Sequence, residues 1–220
     1  LHKAIRRQRQ MCIRDSHTVM YKENGITFKR EYFMSYPDNV MVMRLTSDSK
    51  KGKLSRIISL ESLHTDKTIT ADSHTITMTG YPTPVSGDKR VGDAWKNGLK
   101  YAQQLVVKNK GGKISVVDGT KLKVEDADEI IVLMSAATNY VQCMDDSYNY
   151  FSQEDPLEKV QAMLHKVADK KYTALLATHQ KDYHSLYDRM RLNLGNLPEA
   201  PVAPTDSLLK GMDENTLSLI

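Results

Sequence analysis

Residues 19–32 read VMYKENGITFKREY, and this stretch decides the fold class. Apolar or aromatic residues alternate with polar ones on both sides of Asn24-Gly25, at Val19, Tyr21, Ile26, Phe28 and Tyr32. Strict alternation is typical of a half-buried β-strand. An Asn-Gly pair supplies the two positive-φ positions of a type I′ turn. The stretch therefore predicts a β-hairpin.

Short β-prone runs separated by turn residues continue as far as Tyr140, at the spacing typical of an all-β sandwich. The run from Val40 to Leu45 is apolar at nearly every position, which predicts a central strand covered on both faces. We expect the Gly111-Gly112 turn to pair a strand at 114–117 back onto the strand before it. Residues 80–97, rich in Pro, Gly and charge, are predicted to form a loop. The other predicted strands are 54–60, 68–71, 75–79, 99–107, 122–124 and 129–137.

After Tyr140 the apolar period changes from 2 to 3.6, which indicates helices. Asp155-Pro156-Leu157-Glu158 gives an N-cap, a proline at the first helical position and a capping glutamate. A second amphipathic helix is predicted from about Tyr172 to Met190. We expect these helices to need another surface to cover their apolar stripes. The residue pattern thus predicts an antiparallel β-sandwich at 17–145 and a helical linker at 146–220.

The basic excess of the chain is confined to its first residues. The formal net charge is +4, and residues 1–16 hold five basic residues against one acidic residue, so the other residues carry 26 of each sign. Residues 10–16 (QMCIRDS) resemble a translated adapter, and we predict that residues 1–16 are non-native or disordered. The alternative is a natural basic tail. A neutral folded part predicts no nucleic-acid partner. No run approaches the roughly 20 apolar residues of a membrane-spanning helix, so no membrane association is predicted.

Metal, cofactor and nucleophile patterns are weak in this sequence. His179 and His184 are five residues apart and so do not share a helix face, and no zinc-ligand spacing is present. Asp145, Asp146, Glu154 and Asp155 lack the calcium-loop pattern and are interpreted as a solvated loop. Cys143 is interpreted as a packing residue, and His179 as part of a linker cluster one helical turn from Tyr183. We therefore predict no metal and no cofactor.

Trp95 is the candidate carbohydrate contact. It is the only tryptophan, it lies in the long loop, and Tyr81 and Tyr101 are near it in sequence. An aromatic face suits the C–H side of a pyranose. The alternative is that Trp95 only pins the loop onto the neighbouring structure.

Several segments, taken in order, resemble the N-terminal region of glycoside hydrolase family 95. The segments that carry the resemblance are 26–33 with Ser35 and Pro37, then 40–45, 111–113, 122–128 and 133–140. It continues through Asp155-Pro156, His179, Asp182-Tyr183, Leu186-Tyr187, Arg189, 192–195 and 204–206. Each piece is weak alone, but their order and spacing are specific.

The resemblance implies a super-β-sandwich, a helical linker and then an (α/α) barrel, in a bacterial α-L-fucosidase. It implies inverting hydrolysis of terminal α-1,2-linked L-fucose, with carboxyl groups roughly 6.5 to 9.5 Å apart. No residue matches the family's catalytic motifs, so the catalytic residues are expected beyond Ile220 and the chain is expected to be an inactive fragment.

The same resemblance implies the partners and the location. The partners would be a fucosylated glycan, reached through the missing barrel, and the catalytic domain, by intramolecular packing. The parent protein is expected in the periplasm or outside the cell. Two alternatives stay open. One is a stand-alone carbohydrate-binding sandwich module, and the other is the front domain of a related super-sandwich glycosidase or phosphorylase.

Overall fold

A computed structural model describes residues 9–11, 15–48, 54–82, 98–141 and 151–190. The chain divides into two compact units, Leu1–His184 and Ser185–Ile220. The first unit holds the strands and nearly all of the helical residues. In the second unit the structure describes Ser185 to Met190, where the Arg189 N–H donates to the Leu186 carbonyl at 3.3 Å.

The sequence forms the predicted hairpin at Asn24-Gly25. Glu23 pairs with Ile26, which leaves a two-residue loop between antiparallel strands. Asn24 and Gly25 have φ values of 50° and 82°, the left-handed backbone that a type I′ turn requires. The prediction from the alternating pattern is confirmed.

The strands form two antiparallel sheets. The large sheet has the order β1-β2-β3-β4-β11-β8-β7-β6, and the small sheet has the order β5-β10-β9. In chain order the strands are β1 (Arg9–Met11), β2 (His17–Glu23), β3 (Ile26–Ser35), β4 (Val40–Ser47), β5 (Leu54–Ser59), β6 (Lys67–Asp72), β7 (Thr75–Gly80), β8 (Tyr101–Lys110), β9 (Lys113–Val117), β10 (Lys121–Ala127) and β11 (Glu129–Thr138). The helices are α1 (Pro156–Val167) and α2 (Tyr172–Tyr187).

The two faces of the large sheet pack against different partners, as alternation along a strand requires. On β4, Val42 belongs to the core shared with the helices, and Met43 packs in the core shared with the small sheet. We call these the helix face and the sandwich face. β4 pairs with both β3 and β11, so the prediction that Val40 to Leu45 forms a central strand is confirmed.

The expectation that residues 114–117 pair back onto β8 is wrong. β9 pairs with β10 in the small sheet, and β8 pairs with β11 and β7 in the large one. The Gly111-Gly112 turn therefore moves the chain from one sheet to the other. Gly112 has a φ of 67°, and a Cβ built on it would collide with the Glu125 carbonyl oxygen. Only glycine allows this close passage beside β10.

The expectation that the helices need a surface beyond the sandwich is also wrong for α1. Val160, Leu164 and Val167 are buried in one core with Val42 and Leu133 of the large sheet. The α1 N-terminus forms as predicted, because the Asp155 carboxylate accepts from the Leu157 N–H at 2.9 Å. The helix face of the sandwich is thus the surface that covers the apolar stripe.

The fold class predicted from the sequence is confirmed: mainly β, an antiparallel sandwich followed by two helices. The boundaries at residues 16 and 145 stay predictions. Within residues 1–16, predicted to be non-native or disordered, the backbone of β1 pairs with β2. Among the described residues, neither helix is both long and apolar enough to span a bilayer.

Candidate functional site

An arginine on the helix face holds two carboxylates. Arg44 of β4 lies directly opposite Glu31 of β3 and close to Glu129 of β11. Its Nη2 and Nε donate to Glu129 Oε2 at 2.6 and 2.9 Å, and its Nη1 donates to Glu31 Oε2 at 3.4 Å. The guanidinium carbon lies 4.6 Å from the ring centroid of Tyr172. This cluster ties the start of α2 to the sheet, and it commits both carboxylates to a structural role.

The electrostatics of Tyr172 agree with that role. Burial, followed by the nearby negative charge of Glu31, raises the pKa of Tyr172 to about 12. The hydroxyl therefore stays protonated at neutral pH. Burial alone would lower the pKa of Arg44, but the hydrogen bond and the charge of Glu129 raise it. Arg44 and Tyr172 therefore serve as a structural contact between α2 and the large sheet.

His179 packs against the sandwich, as the interpretation of a linker cluster expected. Its ring stacks on Phe33 with centroids 5.0 Å apart, and it lies 6.1 Å from the ring of Tyr183. His179 Nε2 is 2.6 Å from the Asp15 carbonyl oxygen, so this nitrogen carries the proton and donates. The Gln180 amide donates to the Asp15 carboxylate at 2.7 Å. These bonds join α2 to the residues just before β2.

A cleft of about 340 Å³ opens between the large and small sheets. Two arginines line it, Arg30 of β3 and Arg56 of β5, and both direct an Nη2 at the hydroxyl of Tyr21, at 3.4 and 3.3 Å. The floor includes Met43, Leu45, Ile130 and Val132. Cationic groups thus converge over an apolar floor, an arrangement found in sites for small ligands.

A groove of about 350 Å³ lies at the β3–β4 turn. Met34, Met41, Met134 and Met163 line it together with the exposed Tyr36. Its polar atoms are in use, because the Ser135 hydroxyl lies 2.9 Å from the Asn39 carbonyl oxygen, to which it donates. This groove presents adaptable thioether side chains but no convergent free polar group among the described residues.

The candidate sugar contact Trp95 lies outside the described residues. Of its two aromatic neighbours in sequence, Tyr101 packs against His64, with centroids 5.6 Å apart, and its hydroxyl reaches Ser62 Oγ at 3.5 Å. Asn139 lies nearby and accepts from the Lys100 N–H at 2.7 Å. The described part of this region is therefore held by packing and backbone contacts, and a role for Trp95 stays a prediction.

Metal-type residues do not gather in the described part of the chain, where no group of three or more His, Cys, Asp or Glu side chains could share an ion. Asp155 caps α1, and Glu154 pairs with Lys159 at 2.7 Å. Asp145, Asp146 and both cysteines, Cys12 and Cys143, lie outside the described residues. The described residues of the acidic stretch, Glu154 and Asp155, therefore make structural contacts.

Neither arginine site was predicted from the sequence. Arg30 lies between Phe28 and Tyr32 in the same alternating phase, so a charged residue occupies a position on the sandwich face. This position in the alternating pattern was the one feature of the sequence that could have indicated the site. The sequence gives no indication that Arg56 contacts the same tyrosine, because that contact depends on how β5 crosses the large sheet.

Comparison with known proteins gives the family. Residues 9–143 match the model described as "Glycosyl hydrolase family 65, N-terminal domain". Alpha-L-fucosidase 2 of Arabidopsis thaliana is 32% identical over 190 residues, covering 80% of this chain and 22% of that protein. Probable alpha-fucosidase A of Aspergillus niger is 27% identical over 210 residues, covering 91% of this chain and 25% of that protein.

A solved structure, a putative kojibiose phosphorylase from the human microbiome, is similar with a TM-score of 0.49 at 10% identity. The alignment covers 78% of this chain and 23% of the phosphorylase chain. The chain thus spans about a quarter of the length of the curated relatives that it matches. The matched residues contain the whole β-sandwich, and the chain belongs to the glycosyl hydrolase family 65 N-terminal domain family.

Proposed function

We propose that this chain is the non-catalytic front domain of an exo-acting α-L-fucosidase of glycoside hydrolase family 95. The observation that carries the proposal is its 32% identity with Alpha-L-fucosidase 2 over 190 residues that make up 22% of that protein. The reaction would be inverting hydrolysis of terminal α-1,2-linked L-fucose. It needs a carboxylic acid and a carboxylate on opposite sides of the scissile bond.

The arrangement of two carboxylates in the large sheet agrees with a non-catalytic role for this domain. Glu31 and Glu129 converge from neighbouring strands, but both are bound to Arg44. Both carboxylates are thus committed to holding the arginine that packs on Tyr172. We therefore assign the catalytic pair to a barrel domain of the parent protein.

In this proposal the partners are the catalytic domain, packed against the sandwich in the same polypeptide, and a fucosylated glycan bound by that domain. The parent would be a bacterial enzyme that acts in the periplasm or outside the cell, where glycan ends are accessible.

A second candidate is the front domain of a related super-sandwich glycosidase or phosphorylase. The match of residues 9–143 to a family 65 model favours keeping it. The two candidates differ in what attacks the anomeric carbon: water in a hydrolase, phosphate in a phosphorylase.

The test is to recover the contiguous gene, express its full product and the 220-residue chain, and assay both on an α-1,2-L-fucoside. Measurements with and without inorganic phosphate follow the released sugar and its anomeric form by NMR. We expect phosphate-independent release of β-L-fucose from the full product and none from the 220-residue chain. A phosphate requirement with a sugar 1-phosphate product would favour the second candidate. Fucose release by the 220-residue chain would contradict the assignment of catalysis to another domain.

A further inference from the structure

In the cleft between the two sheets, two cationic side chains share one hydrogen-bond partner, the Tyr21 hydroxyl. Arg30 Nη2 and Arg56 Nη2 both lie within hydrogen-bond distance of the Tyr21 hydroxyl, at 3.4 and 3.3 Å. The two nitrogens are therefore within about 7 Å of each other, a separation at which like charges repel unless water or a counter-ion screens them.

No carboxylate of the described residues forms an ion pair with Arg30 or Arg56. Burial would lower the pKa of Arg30, and the hydrogen bond and proximity of Tyr21, with Tyr32, raise it. The tyrosine contacts orient the guanidinium groups but supply no carboxylate to neutralise them.

Arg30 also has an unused donor. Its Nε is buried and has no hydrogen-bond partner within the described structure. A buried donor without an acceptor costs free energy, so the protein itself does not fully satisfy the Arg30 guanidinium. The Arg30 guanidinium lies over the Tyr21 ring, 5.1 Å from the centroid, and this contact fixes its plane. The donors are thus oriented in advance.

The rest of the cleft fits a small ring. Its volume of about 340 Å³ lies at the lower end of the range for small-molecule sites, roughly 300 to 1,000 Å³. Met43, Leu45 and Val132 form an apolar floor, and Tyr32 adds an aromatic wall. Such a surface packs against the C–H side of a pyranose, and paired guanidinium groups match the planar fork of a carboxylate.

We propose that the cleft between the sheets binds the carboxylate of an acidic sugar, held between Arg30 and Arg56, with the sugar ring on the apolar floor. The ligand class is a uronic acid or another carboxylated saccharide. The proposal is independent of which glycan the parent enzyme cleaves.

The test uses the 220-residue chain and glucuronate as the probe, by calorimetric titration and thermal melting at constant ionic strength. Glucose is the neutral comparison, acetate supplies the carboxylate alone, and inorganic sulfate supplies an oxyanion of another shape. We expect saturable binding of glucuronate, with affinity for glucose and for acetate lower by about tenfold or more. Glucuronate should also raise the melting temperature, because it binds only the folded chain.

Two variants remove the guanidinium groups separately. Arg30→Met and Arg56→Gln should each weaken glucuronate binding by about tenfold or more. Lys121→Gln makes the same charge change as Arg56→Gln at an exposed position on the adjacent strand, and it should leave the affinity unchanged. If Arg30→Met fails to fold by circular dichroism, Arg56→Gln decides the question, since Arg56 lies on the edge strand of the small sheet.

Three outcomes would overturn the proposal. The first is no saturable binding of glucuronate by the folded chain. The second is equal weakening by Lys121→Gln, which would show a general charge effect. The third is that acetate or sulfate binds as tightly as glucuronate, which would mean a site for a free oxyanion and not for a sugar acid.

Discussion

Each face of the large sheet carries an arginine, and the two arginines lie on neighbouring strands. They differ in whether a carboxylate pairs with the guanidinium group. On the helix face, Arg44 is bound by Glu31 and Glu129. On the sandwich face, Arg30 meets the hydroxyl of Tyr21 and a second arginine, Arg56. One face neutralises its charge within the fold, and the other leaves positive charge at an open cleft.

The difference shows which face is built for stability and which keeps a capacity to bind. A charge that is paired and hydrogen-bonded supports packing around it, so the helices can cover Arg44. An incompletely paired charge is tolerated only where water or a ligand can reach it. We therefore expect substitutions on the helix face to affect folding, and substitutions at the cleft to affect binding.

The largest effect should come from the core under α1. Leu133→Ala removes a side chain that is 1% exposed and packed with Val160 and Leu164. The cavity should lower the free energy of unfolding by about 2–5 kcal/mol. Urea unfolding followed by circular dichroism measures this. Ile57→Ala, at a position 65% exposed, is the control and should change stability by less than about 0.5 kcal/mol. Equal losses in both variants would contradict the placement of the core.

Arg44→Met should be the next largest, because it leaves Glu31 and Glu129 without their shared cation. We expect a loss of about 2 kcal/mol, less than for a fully buried pair because these side chains retain some exposure. Glu129→Gln added to Arg44→Met should restore part of the loss, as a double-mutant cycle would show. A stability like that of the unmodified chain would mean that the cluster does not hold the helices.

Arg30→Met should cost much less. It removes a positive charge that has no carboxylate partner among the described residues, and it relieves repulsion with Arg56. We expect a change in the free energy of unfolding within about 1 kcal/mol, in the neutral or stabilising direction. A loss as large as that of Arg44→Met would remove the contrast between the two faces.

The smallest effect should be a pH effect at Asp15. Burial is the largest single influence and raises its pKa, but the hydrogen bonds from Gln180, the backbone and Ser16, with the nearby His184, together outweigh burial, and the pKa is lowered from 3.8. A lowered folded-state pKa means stability that is present above the unfolded value and is lost as the pH falls through the folded value. Asp15→Asn should therefore flatten the acid side of a melting-temperature profile below about pH 4.

Asp118→Asn, an equal charge change in the β9–β10 turn, is the control for that profile. If Asp15→Asn and Asp118→Asn give the same acid limb, the contacts of Asp15 with α2 contribute nothing measurable. A specific effect of Asp15→Asn would instead show that α2 holds the residues before β2, within the segment predicted to be non-native or disordered.

Local sequence patterns were sufficient to predict the structure wherever residues close together in the chain determine the backbone conformation. The Asn24-Gly25 hairpin and the Asp155 cap of α1 were both predicted, because each depends on residues no more than three positions apart. The sheet change at Gly111-Gly112 was not predicted. A turn dipeptide indicates that the chain reverses, but it does not show which strand the next one will pair with.

The sites follow the same division. The alternating phase places Arg30 on a buried face, but only the crossing of β5 brings Arg56 to the same tyrosine. Glu129 is 85 residues from Arg44 in sequence, and the pairing of β4 with β11 makes them neighbours. Trp95 could be selected from the sequence as a candidate, but its surroundings lie outside the described residues.

The sequence alone determined the fold class, the hairpin, the central strand and the start of α1, because alternation, turn residues and capping act over a few residues. Tertiary structure decided which face of the large sheet packs against the helices and which arginine pairs with carboxylates. The physical reason is that burial and charge pairing depend on distances between strands that are far apart in the chain, and only the folded arrangement sets those distances.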